Sequence, residues 1–101
     1  MLSKMESKVG PLIFKIEFEE DPQILFSNER CFGYCDSENA KIVIDKNLSD
    51  IQKKFYLMHE IVEQICAIYF LELNHEQKGI IGNAFFNYLR ENPKIIEYIK
   101  K

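Results

Sequence analysis

Two histidines and two glutamates in the second half of the chain have the spacing that a metal centre requires. His59-Glu60-Ile61-Val62-Glu63 sets a histidine and a glutamate four residues apart. On a helix their side chains leave the axis only about 40° apart and can reach one point in space. Glu60 follows the histidine directly, roughly 100° round the helix, where its carboxylate stays beside that point without joining it. Eleven residues then separate Glu63 from His75, the only other histidine of the chain. That length lets the helix finish, the chain turn at Glu72-Leu73-Asn74, and His75 come back alongside. Two imidazoles and one carboxylate leave a fourth tetrahedral position for water, a set that suits catalytic zinc. Glu60 would then take a proton from that water, the task of the glutamate in HExxH helices.

The elements that would position these groups are legible in the periodicity. Leu12, Phe14, Ile16 and Phe18 alternate with Lys15, Glu17 and Glu19, as a half-buried strand requires. After Asp21-Pro22 the stretch from Gln23 to Glu29 reads as a connector. Arg30 to Cys35 and Ala40 to Lys46 flank the polar segment Asp36-Ser37-Glu38-Asn39, which has the length of a hairpin turn. Ile42 and Ile44 would share one face, and Gly33 marks a bulge or a close backbone approach.

A helical period follows at once. Ser49-Asp50-Ile51-Gln52 fits a capping box, and Ile51, Phe55, Met58, Val62, Cys66 and Tyr69 recur at spacings of three and four, predicting a helix from about Asp50 to Leu71. Asn74-His75-Glu76-Gln77 is a second capping box before another amphipathic run. Asn92-Pro93 ends that run and starts a short third helix. The expected fold is therefore α+β: a small antiparallel sheet packed on a long metal-bearing helix, followed by one long and one short helix. Residues 1–101 read as a single domain with a loose leader at 1–9.

Composition narrows the function classes. The 101 residues carry 47% hydrophobic content, enough for one core. The net charge is −3 with scattered basic residues, so nucleic acid is not an expected partner. The acidic run Glu17, Glu19, Glu20, Asp21 reads as solvated surface. The start MLSKMESKVG lacks the hydrophobic stretch of a signal peptide, and the run from Ile65 to Leu71 is too short to cross a bilayer. Membrane association is not expected, and a cytoplasmic location is. Cys31, Cys35 and Cys66 make an odd count without CxxC spacing, which points to reduced thiols.

The stretch from Leu57 to Ile99, LMHEIVEQICAIYFLELNHEQKGIIGNAFFNYLRENPKIIEYI, resembles small phage- and prophage-encoded proteins related to minimal gluzincin-type metallopeptidases. There a short sheet precedes an HExxH or HExxE helix, and a further helix ends near an Asn-Pro. The resemblance covers roughly residues 30–99. It implies a metallopeptidase-like domain with Zn2+ held by His59, Glu63 and His75, Glu60 as general base, and a peptide or protein as substrate. The chain departs from the pattern in placing Glu63 where a second histidine is usual and His75 where a later acidic ligand is usual. The extra negative charge of Glu63 would make a bound water less acidic than a neutral third histidine does. Two readings follow: a zinc-dependent peptidase, or a catalytically inactive metallopeptidase-like binding or regulatory protein.

Overall fold

The computed structural model describes residues 5–20, 32–36 and 38–101. Four strands, β1 (Met5–Val9), β2 (Leu12–Glu19), β3 (Gly33–Asp36) and β4 (Lys41–Asp45), precede three helices, α1 (Asp50–Ile68), α2 (His75–Glu91) and α3 (Pro93–Lys100). The α+β class is as the periodicity indicates. The sheet runs in the order β1-β2-β4-β3, and it is mixed rather than antiparallel. Hairpins join β1 to β2 and β3 to β4, whereas β2 and β4 pair in parallel, Ile16 opposite Ile42 and Phe18 opposite Ile44. Two hairpin-like pairs side by side were compatible with either sense, and nothing in the local pattern distinguishes them.

The second departure lies at the start of the chain. Residues 5–9 are a strand paired along their whole length with β2, Met5 opposite Ile16 and Val9 opposite Leu12, so only residues 1–4 of the supposed leader lie outside the described residues. Val9 is the strand's one buried residue, which left no alternation to detect. The turn is Gly10-Pro11, with Gly10 at φ 56, the conformation that favours glycine at the first position of a two-residue hairpin. The connector at Gln23 to Glu29, the first residues of the Arg30 to Cys35 strand, Cys31, and Ser37 of the turn also fall outside the described residues.

α1 is the shared element. Val9, Phe14, Ile42 and Ile44 form the buried centre of the sheet, and Tyr56, Leu57, Ile61 and Ile68 of α1 cover it. A second apolar face of the same helix, Phe55, Val62 and Cys66, turns towards α2. The stripe legible in the sequence is this second face. β4 is buried on both sides, with Val43 and Asp45 as inaccessible as Ile42 and Ile44; the Asp45 carboxylate accepts from the Asn47 N–H at 2.9 Å.

The helix ends follow local chemistry. Ser49 with Gln52 and Asn74 with Gln77 form reciprocal capping boxes, and Pro93 opens α3. α1 stops at Ile68, three residues earlier than expected. Phe70 takes φ 57 and the Leu71 N–H returns to the Cys66 carbonyl at 2.9 Å, the bond pattern of a helix terminus that usually has glycine in the left-handed position. Phenylalanine there concealed the stop. Among the described residues no helix is long and apolar enough to cross a membrane.

Phe70 is 90% exposed, so its side chain contributes little packing to offset a left-handed backbone that costs roughly 1–2 kcal/mol for an L-residue. Phe70→Gly is expected to stabilise the protein by about 1 kcal/mol, raising Tm by about 4–8 °C. Unchanged or lower thermal stability would show that the Phe70 side chain is held by contacts the exposure does not register.

Candidate metal centre

The seam between α1 and α2 brings the sequence-distant groups together. Glu63 meets Lys78, His59 lies against Gly82, and the Phe55 ring meets Phe86 edge-on at 5.9 Å. One residue number falls by four as the other rises by four, so the helices are antiparallel and closely apposed. Gly82 sits at this contact, and a methyl group there would lie 3.6 Å from the His59 Cα, an ordinary van der Waals distance that alanine would also satisfy. The connection 69–74 is just long enough to place His75 at the first position of α2, over the His59–Glu63 turn.

His59, Glu63 and His75 each offer a ligand atom, and these atoms lie within 4.8 Å of one another. The two imidazole rings are edge-to-face with centroids 5.5 Å apart. The Nδ1 of His75 is 3.9 Å from Glu63 Oε1. Ligand atoms about 2.0–2.2 Å from a tetrahedral ion stand roughly 3.4 Å apart, so closure needs a contraction of about 1.4 Å at most. His75 can supply it by rotating, since its side chain is 85% exposed. His59 and Glu63 are half-buried. The donor set and its spread fit a divalent ion that accepts nitrogen and oxygen.

Lys78 enters the cluster without having been anticipated. Its ammonium donates to Glu63 Oε2 at 3.2 Å, and the side chain is only 22% exposed. The signal was available: His75, Lys78, Gly82 and Phe86 are spaced by three and four, one face of α2. That face was hidden by the exposed apolar residues around it. Lys78 neutralises Glu63 when no cation is present and leaves the other carboxylate oxygen directed at His75.

Glu60 stands apart from the three ligands. It lies between α1 and β3, where a Cβ on Gly33 would come within 3.8 Å of the Glu60 Cγ. Gly33 is thus a close approach rather than a bulge; it pairs in register with Ile44, and an added methyl would meet Ile44 Cδ1 at 2.9 Å and the Val43 carbonyl at 3.3 Å. Burial, and secondarily the negative charge of Glu63, push the Glu60 carboxyl up from 4.5 to about 7. A carboxylate poised there is suited to accept a proton near neutral pH. Neither Cys35 nor Cys66 belongs to the cluster.

No family model, curated protein or solved structure matches this chain.

The raised Glu60 pKa has a consequence for metal-free protein. The folded state keeps a proton that the unfolded chain releases near pH 4.5, so stability falls as pH rises from about 4.5 to about 7 and stays lower above. The fall should be on the order of 2–3 kcal/mol. In chelator-treated protein, Glu60→Gln is expected to abolish most of this slope and to melt above wild type at pH 8. An identical slope in the variant would assign the titration to another group.

Proposed function

We propose that this protein binds Zn2+ through His59, Glu63 and His75 and hydrolyses peptide bonds, with Glu60 as general base. The observation that carries the reading is the convergence of two imidazoles and a carboxylate from two helices within 4.8 Å. The bound ion would supply Lewis acidity and a water of lowered pKa. The protein's own residues divide the remaining tasks. His59 and Glu63, one helical turn apart, hold a fixed edge of the site, and exposed His75 completes it from α2. Glu60, half-buried beside Gly33, has the proton affinity to take a proton from water and pass it to a leaving amine. Lys78 on Glu63 Oε2 offsets the negative charge that a carboxylate ligand brings. The bound water is then closer in acidity to that of a site with a neutral third ligand.

A peptide or protein is the substrate this reading implies. β3 carries Gly33 beside Glu60, and an extended chain aligned with that side of the sheet would run past the base. The order of sheet, HExxE helix and Asn-Pro-terminated helix supports kinship with minimal gluzincin-type proteins of phage and prophage, acting in the cytoplasm.

Lys78 also favours a second reading. An ammonium already paired with Glu63 is a complete ion pair, and a metallopeptidase-like scaffold whose acidic ligand is so occupied would serve as a catalytically inactive binding or regulatory protein. Metal content separates the two.

Zinc stoichiometry of purified wild type, His75→Ala and Glu60→Gln decides the roles. One equivalent is expected in wild type and in Glu60→Gln, with at least tenfold weaker zinc binding in His75→Ala, whose metal-free form should keep the wild-type Tm. Peptidase turnover, if present, should vanish in Glu60→Gln. Equal zinc loss in both variants would make Glu60 a ligand, and zinc-free wild type would leave the binding reading standing.

A further inference from the structure

The apolar surface of the helical half is larger than one chain can cover. A groove of ≈ 450 Å³ runs along the flank of the α1–α2 seam, lined by Met58, Ile65, Cys66, Leu71, Phe85 and Leu89 among others, all without charge. α3 follows with an apolar side of its own. Ile95 is 44% and Ile99 72% exposed, and no residue of α3 is buried. Among the described elements α3 packs only against α2. Eight residues are too few for a helix to persist in water by propensity alone, so its apolar side needs a surface to lie on.

Its own groove is out of reach. Asn92 alone separates Glu91 of α2 from Pro93 of α3, whereas two antiparallel helices need a connection of two to five residues. α3 is therefore unable to fold back along the α2 residues Phe85 and Leu89 that line the groove. A second copy of the chain has no such restriction.

We propose that the protein forms a two-fold symmetric dimer in which the α3 of each copy lies, through Ile95 and Ile99, in the α1–α2 groove of the other. The chain carries both halves of the contact, an aliphatic helix and an apolar groove, and reciprocal exchange covers both at once. Ile65, Leu71, Phe85 and Leu89 of the groove, the adjoining Tyr88, and Ile95, Tyr98 and Ile99 of α3 stand 37–80% exposed. At roughly 150 Å² for each such side chain they leave on the order of 600 Å² uncovered per copy, within reach of the share of about 800 Å² that each partner gives to a stable interface. None of His59, Glu63 and His75 lines the groove, so the proposed dimer does not use the metal cluster.

Light scattering on size-fractionated, chelator-treated full-length protein tests the arrangement. The wild type is expected at twice the 12.0 kDa chain mass at tens of micromolar. Two variants, Ile95→Asp/Ile99→Asp in α3 and Phe85→Asp in the groove, should each be monomeric, with self-association weakened at least a hundredfold and helical circular dichroism retained. Mixing the two variants should restore part of the dimer, because the intact α3 of one meets the intact groove of the other. A wild type that stays monomeric, a dimer that survives the α3 substitutions, or a mixture that stays monomeric would each overturn the proposal; a monomer would leave that surface to a different partner.

Discussion

The close antiparallel contact of α1 with α2 is the constraint on which the rest depends. α1 packs on two sides: Leu57 and Ile61 close the sheet, while Phe55 and Val62 meet α2. α1 is held by the sheet on one side, and α2 packs within van der Waals distance on the other, with Gly82 against His59. Glu63, Lys78 and His75 are then brought together by the register of two helices rather than by a loop. A site on rigid elements keeps its geometry better than one on mobile connections. The same contact leaves a groove at its flank.

Electrostatics divides the site into two carboxylates with different roles. Glu63 lies beside a lysine and a histidine, while Glu60 has no such partner among the described contacts and is half-buried next to the sheet. Burial holds the Glu60 carboxyl up at about 7, whereas the Glu63 carboxylate is paired with the Lys78 ammonium at 3.2 Å. A pair of carboxyl groups separated in this way is how one small site supplies both a ligand and a proton acceptor. A dication placed among His59, Glu63 and His75 would draw the Glu60 pKa down again, since its charge favours the nearby anion.

Much of this was legible beforehand, and the reason is local. The capping boxes at Ser49 and Asn74 and the Pro93 start depend on side chains a few residues apart, so they survive reading without a partner in view. The His59–Glu63 turn is legible for the same cause, and His75 followed from connection length. What escaped was non-local. The β1 strand has one buried residue and is set by pairing with β2. The parallel sense of β2 and β4 is decided by the path between them. The early end of α1 depends on Phe70 in a conformation glycine usually takes. Lys78 and Gly82 acquire their meaning only once α1 stands opposite.

The most direct measurement of the central claim is the coordination shell of zinc in zinc-loaded protein by X-ray absorption. Two imidazoles and one carboxylate predict nitrogen and oxygen scatterers alone, at about 2.0–2.2 Å, with the outer-shell signature of two histidine rings that drops to one in His75→Ala. A sulfur scatterer near 2.3 Å, the distance of a zinc–cysteine bond, or a histidine signature unaltered by His75→Ala, would contradict it.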